Sequence, residues 1–365
     1  MKQNPRLLPD RLCVDNKEAP RWAALFSGPH LCEFWRATNN PHLGAHHLAR
    51  ITQRHEQHRR LTAMIADDIP ISFQIHDSKT QSNTAEESGK LDSGQMVPVT
   101  ITADARADKP VQASFGRQLA GRFILINLDA GDGLSLRLSK KQSDSLSEAQ
   151  KATLLECLPP LPEGACYIVR RAGFKTLINQ QHLIEVEAKA LLSAWQDHKV
   201  SSDETVPHCL YRGRDFVEQT ELLYPDITVS LAEQIDVDEA ELQAETALSE
   251  SHICSNGAVL WIEPTRTAVM IDVDSAASKL GPIELAGDVL AEIIAALRLR
   301  QLSGRIIIDL PRVSKGRQKE IEGALRKVAA TDPRHPDIIG FTASGLLEMK
   351  IRHGRMPLTE MIRLT

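Results

Sequence analysis

The sequence has few aromatic residues, 4% of its 365 positions, which excludes a surface paved with stacking platforms for nucleic-acid bases. It has no excess of positive charge either: 43 Lys and Arg against 48 Asp and Glu give a net charge of −5. A uniformly basic nucleic-acid binder is thereby ruled out, and any such contact has to be a local groove. Six cysteines are scattered without a Cys-x-x-Cys pair, which argues against a cysteine zinc site and fits reduced thiols. No signal peptide or apolar run of membrane-spanning length is visible, so a cytoplasmic protein without membrane contact is expected. What remains is ordinary globular composition, 42% hydrophobic and 25% charged, over enough chain for two or three domains.

The last third carries the chemistry. Residues 258–262 and 267–273 read as a strand hairpin about a proline-containing turn at Glu263 to Arg266. A helix of clear period follows over 283–301, then a strand over 305–310, a helix over 314–330 and a strand over 337–341. Two apolar strands thus end in Asp272 and Asp309, with a helix between them. Adjacent parallel strands bring their carboxyl ends side by side, where ligands bind. Two carboxylates there make the oxygen-rich, hydrated site that Mg²⁺ prefers, and they point to metal-assisted phosphoryl chemistry. Taken singly, each aspartate is better explained as a strand end or turn cap. Asp274 shares the face of Asp272 and is either a third ligand or a solvated loop carboxylate. Glu263 either supports the site or belongs to the turn. Arg298 and Arg300, near a helix C-terminus, have a structural reading. Lys350, Arg352 and Arg355 form a basic tail that either lines an RNA groove or is solvated.

Upstream, a strand-like element covers 22–26. Short strands follow over 47–53, 61–65, 71–76 and 97–102, interrupted by the polar stretch 77–93. This pattern suits a small β-barrel, of which the OB type is one. The segment 46–60 (HHLARITQRHEQHRR) either contacts phosphates from a barrel strand or forms an exposed basic edge that discourages strand pairing. A strand over 122–128, a Gly-rich turn at 130–133, a helix over 145–158, a strand over 165–170 and a helix over 181–198 come next. A polar joint at 200–205 leads into residues 206–248, which mix strand and helix without a clear pattern.

The blocks IEPTRTAVMIDVDS, LRLRQLSGRIIIDL and GLLEMK (345–350) resemble the catalytic domain of the ribonuclease E/G family. LPEGACYIVRRAG (161–173) is similar to that family's 5′-sensor segment, and residues 107–127 to the entry into it. The resemblance implies an α+β multidomain fold. A split RNase H-like subdomain (1–33 and 206–248) would hold an inserted OB-type barrel (34–106) and a 5′-sensor (107–205). An α/β DNase I-like catalytic subdomain (249–365) would follow. It also implies a Mg²⁺-dependent endoribonuclease that cuts single-stranded, often A/U-rich RNA by metal-activated water, giving 5′-phosphate ends, in RNA processing or decay. Carried over by position, the catalytic and metal-binding residues are Asp272 and Asp309, and Asp274 stands where the family has Asn. Arg170, with Arg171 in place of the usual threonine, would bind the RNA 5′-phosphate. Phe73 in the barrel, with Lys350 and Arg352, would contact RNA. The chain also departs from the family. The loop Ser275 to Gly281 is short, Met64 replaces an aromatic, and no Cys-Pro-x-Cys follows GLLEM, so no zinc-linked dimer is expected. These departures keep a second reading open, a non-catalytic RNA-binding or ribosome-assembly factor of the same descent.

Overall fold

The structure is a computed structural model that describes residues 8–16, 18–74, 91–106, 109–130, 136–139, 143–170, 181–197 and 205–364. The chain forms two compact units, Met1–Asn39 with Leu223–Thr365, and Asn40–Leu222. The first unit opens with an antiparallel meander of β1 (Arg11–Val14), β2 (Trp22–Ser27) and β3 (His30–Arg36). Every residue of β2 is buried, so its apolar run covers both faces and shows no alternation.

The second unit begins with β4 (His46–His55), β5 (Arg60–Met64), β6 (Pro70–Gln74), β7 (Met96–Ala103) and β8 (Val111–Phe115). These pair in the order β4-β5-β6-β8-β7, and β7 returns to β4, closing a five-stranded barrel. The barrel expected from the short strands is therefore present, and β8, beyond residue 106, completes it. Ala49, Ile51, Leu61, Ile71, Phe73 and Val99 fill its core. The basic-edge reading of 46–60 is corrected here. β4 is hydrogen-bonded to β5 and to β7, and His46 and His47 are buried. Arg50, Arg54 and Arg60 donate to the Thr205 carbonyl, the Leu91 carbonyl and Gln112. Closing a barrel removes the edge that such charges would protect. Most of the polar stretch 77–93 lies outside the described residues.

A four-stranded sheet follows from β9 (Gln118–Ala120), β10 (Ile124–Asn127), β11 (Leu136–Arg137) and β12 (Cys166–Val169), in the order β11-β12-β10-β9. Helix α1 (Glu148–Cys157) starts at a Ser147/Gln150 capping box, which satisfies two backbone donors reciprocally. Helix α2 (Gln181–Asp197) packs Ile184, Ala188 and Leu191 against the Ile124, Ile126 and Tyr167 side of the sheet. β13 (His208–Tyr211) and α3 (Phe216–Leu223) end the unit. The Gly-rich turn and the polar joint 200–205 fall largely outside the described residues.

Returning to the first unit, β14 (Thr228–Leu231) adds to β1 in parallel, and α4 (Gln234–Thr246) follows. The remaining elements are β15 (Ser251–Ile253), β16 (Val259–Pro264), β17 (Val269–Asp274), α5 (Pro282–Leu299), β18 (Gly304–Asp309), α6 (Lys315–Ala329), β19 (Asp337–Phe341), β20 (Leu347–Ile351) and α7 (Leu358–Met361). The sheet order is β15-β16-β17-β18-β20-β19. β17 and β18 pair in parallel, while their outer neighbours pair antiparallel. A parallel pair cannot be closed by a tight turn, and α5 supplies the crossover, with Pro282 in its first turn where no N–H is missed. Leu285, Val289, Ile293, Ile321 and Leu325 of α5 and α6 pack with Ile271, Ile306 and Ile308 in one core. The alternate side chains of β17 and β18 are exposed or part-exposed. β20 was not expected from the sequence.

A buried polar cluster ties β3 to α5. Arg298 Nε donates to Glu33 Oε1 at 2.6 Å, and Gln301 Nε2 reaches the other carboxylate oxygen at 3.4 Å. Arg334, paired with Asp332 at 2.7 Å, donates to the carbonyls of Leu297 and Leu302, both at 3.0 Å. The Leu297 carbonyl in the last turn of α5 also accepts the Leu302 N–H at 3.0 Å, so Arg334 ties the helix end to the residues that follow it. The structural reading of Arg298 is thus accounted for. Among the described residues no helix is long and apolar enough to cross a membrane.

Candidate active site

Val269, Ile271 and Val273 of β17 are buried, while Met270, Asp272 and Asp274 are exposed. On β18, Ile306 and Ile308 are buried while Arg305 and Asp309 are exposed. The parallel register sets Ile271 beside Ile308 and Asp272 beside Asp309. Neighbouring strands lie about 4.8 Å apart, so two carboxylates stand side by side on the exposed face, at the carboxyl ends of both strands. Among the described residues neither has a hydrogen-bond or ion-pair partner. A turn-capping aspartate would show such a bond. Asp274 does: its Oδ1 accepts the Ala276 N–H at 2.9 Å in a turn where Ala276 has φ 41°, the local bonding that favours Asp in turns.

Two unpartnered carboxylates at adjacent positions repel unless a cation or water intervenes. Their donor chemistry fits Mg²⁺, which takes few protein oxygens and keeps several waters. No group of three or more His, Cys, Asp or Glu side chains suited to a metal gathers among the described residues. The structure therefore brings Asp272 and Asp309 together and does not draw Asp274 into a three-ligand cluster.

The same face carries other side chains. Trp261 of β16 is opposite Asp272. Glu263 is opposite Met270, as a strand residue and not part of the turn. Arg305 is opposite Lys350 and lies 3.1 Å from Glu348. Arg305 and Lys350 sit four residues back from Asp309, roughly 13 Å along the strands, so Lys350 shares the face but not the immediate site. Arg352 is exposed just past the end of β20.

The remaining candidates lie in the second unit. Phe73 is 2% exposed within the barrel core, where a base cannot reach its ring. This corrects the expectation of an RNA contact there: Phe73 alternates onto the same inward side as Ile71. Arg171 lies outside the described residues. The Arg170 guanidinium donates to the Gly121 carbonyl. Beside it, the buried Glu187 carboxylate accepts the N–H groups of Arg122, Phe123 and Ile124, the last two at 2.9 and 3.0 Å. Burial pushes the Glu187 carboxyl up, against the pull of these N–H groups and of Arg170. A Cβ at Gly121 would overlap that carboxylate, so only glycine lets it seat. Sequence reasoning missed this cradle, because nothing in the spacing joins residue 187 to residue 122.

The sequence pattern of the ribonuclease E/G family matches residues 221–353, a span that holds both aspartates. Over that span the chain is similar to the ribonuclease E/G family. Activity in that family is generally endoribonucleolytic, with RNA as the class of substrate. The ribonuclease E/G family is also generally dependent on a divalent metal. Among curated proteins, none matches the chain significantly.

Proposed function

We propose that the chain is a Mg²⁺-dependent endoribonuclease of RNA processing or decay that cleaves single-stranded RNA at the Asp272–Asp309 pair and leaves 5′-phosphate ends. The observation that supports this most directly is the register that sets the two carboxylates side by side, unpartnered, within the family span. Asp272 and Asp309 hold the ion, and their charges are balanced when it is bound. Asp274, already bonded to the following turn, would be the third carboxylate available to the ion. An ion held there would supply Lewis acidity toward the phosphate and a polarised water as nucleophile. The open sheet face admits an RNA strand, and Arg305 and Lys350 at its other end are placed to neutralise a phosphate further along.

Arg170 and Arg171 remain assigned to the RNA 5′-phosphate on the sequence resemblance. With Glu187 seated on the neighbouring N–H groups, a phosphate has to compete with a carboxylate of the chain itself. We therefore expect 5′-monophosphorylated and 5′-hydroxyl RNA to be cut at rates within a few-fold of each other.

The test incubates purified protein with a 5′-monophosphorylated, A/U-rich single-stranded RNA, with and without Mg²⁺. Internal cuts that need Mg²⁺ and vanish when both aspartates become Asn support the enzyme. Tight binding without cutting across several RNAs would favour the non-catalytic RNA-binding factor.

A further inference from the structure

Aromatic residues are scarce in this chain, and tryptophan is usually well buried. Trp22 and Trp35 follow that rule at 8% and 9% exposure, but Trp261 is 43% exposed. It stands on the open sheet face in one cross-strand line with the carboxylate pair, opposite Asp272, which is itself opposite Asp309. Its other cross-strand neighbour is the small Ser251, which leaves the indole uncovered on that side. Met270, also exposed, is its diagonal neighbour on β17. Strand spacing puts the Trp261 backbone about 5 Å from that of Asp272 and about 10 Å from that of Asp309. That is the scale separating a nucleotide's phosphate from its own base.

Resting on the endoribonuclease reading above, we propose that Trp261 stacks the base of a nucleotide flanking the scissile phosphate and so acts as a specificity determinant. Stacking needs a base with a free face. A base inside a duplex has both faces covered, so this residue favours single strands without reading sequence. Base–aromatic stacking is sequence-tolerant and is worth roughly 5- to 150-fold per base. A second copy of this chain is the poorer occupant of the face. Glu263, Asp272, Asp274 and Asp309 are exposed here, so a symmetric contact would set carboxylates against carboxylates. An RNA strand instead brings phosphates that the bound ion, Arg305 and Lys350 can take.

The test pairs protein and substrate changes in a cycle. Trp261→Ala and Trp261→Phe are compared with the parent on a single-stranded RNA carrying one cleavage site. The same comparison uses that RNA with an abasic nucleotide at each flanking position in turn. For the parent, one abasic position should lower kcat/KM about tenfold. Trp261→Ala should show that loss on intact RNA and be insensitive to the abasic change, while Trp261→Phe recovers most of the activity. Additive effects of the two changes would overturn the proposal, as would a Trp261→Ala variant equal to the parent. Self-association abolished by Trp261→Ala, with no effect of the abasic position, would overturn it in favour of an interface between copies. The same RNAs are also titrated into the Asp272→Asn/Asp309→Asn protein, following tryptophan fluorescence. Quenching that is lost in Trp261→Phe and reduced by the abasic position supports stacking even if no cleavage occurs. In that case the catalytic reading fails and the stacking inference stands as binding. Quenching that is unchanged in Trp261→Phe would refute it.

Discussion

Removing Glu33 should destabilise the first unit far more than an ordinary surface change. Arg298 is 1% exposed, and its guanidinium meets the Glu33 carboxylate at 2.6 Å. Burial alone would weaken its hold on the proton, but Glu33, followed by Tyr224, Cys32 and Asp332, together more than offset that and keep it charged. Glu33→Ala leaves a buried cation without its carboxylate, which costs about 3–5 kcal/mol. Glu33→Gln keeps an acceptor and loses only the charge, at about 1–3 kcal/mol. Removing both charges with Glu33→Leu and Arg298→Met should cost much less than the sum of the single changes, since no ion is then stranded. Urea unfolding followed by tryptophan fluorescence is the assay, because Trp22 and Trp35 lie in the same sheet as Glu33. For domains of 150–250 residues each kcal/mol moves Tm by about 2–4 °C, so Glu33→Ala should lower it by roughly 6–20 °C. A Glu33→Ala protein within about 1 kcal/mol of the parent would refute the reasoning. So would a double variant as unstable as the sum. The contact bears on the site as well, because α5 carries Arg298 and leads directly into the strand that ends at Asp309.

Three further outcomes are expected. Asp272→Asn and Asp309→Asn should each lower Mg²⁺-dependent cleavage by on the order of 10²-fold while sparing RNA affinity, and Asp274→Asn should lower it only a few-fold; equal losses at all three positions would contradict the two-ligand site. The second concerns pH. His46 is held down from 6.5 to about 4, chiefly by burial. Its Nε2 bonds the Gln118 carbonyl at 3.1 Å, and among the described residues its Nδ1 has no partner to receive a second proton's hydrogen bond. The unfolded chain therefore binds a proton below pH 6.5 that the folded one refuses until about pH 4. The stability this group contributes is complete above that window and is lost across it, by about 3 kcal/mol. Parent and His46→Gln stability curves should converge by that amount between pH 7 and 4, and parallel curves would be the contrary result. Finally, protein purified without chelator should contain no stoichiometric zinc by elemental analysis, and one zinc per two chains would overturn the expectation that no zinc-linked dimer forms.

What the sequence made legible was what one-sided burial writes into a pattern. β17 and β18 alternate because α5 and α6 cover one face, so their ends, and the aspartates on them, were readable. Parallel pairing followed from the helix between them. The same alternation places Phe73 on the inward side with Ile71 and Trp261 opposite Asp272, and both could have been counted from the strands already assigned. Other features leave a weaker trace or none. β2 is buried on both faces and shows no period, so only its apolar run over 22–26 marks it as a strand. β20 (Leu347–Ile351) falls within the GLLEMK block, which stood out as a motif and not as a strand. Glu33 and Arg298 are 265 positions apart, and Glu187 meets Arg122 only because a helix lies against a turn.

This division has a practical consequence for testing function. Asp272, Asp309 and Trp261 project from a face whose exposed positions contribute little to the core, while Ile271, Ile306 and Ile308 beneath them carry the packing. Substitutions on the open face therefore alter chemistry and recognition at small cost in stability, typically within about 0.5 kcal/mol. Replacing Asp272 with Asn should even relieve the repulsion from Asp309, leaving the folded unit as stable as the parent or slightly more so in the absence of metal. Added Mg²⁺ should then raise the Tm of the parent and not that of the variant. A variant that loses stability without metal would mean that the two carboxylates are held for structure and not for catalysis.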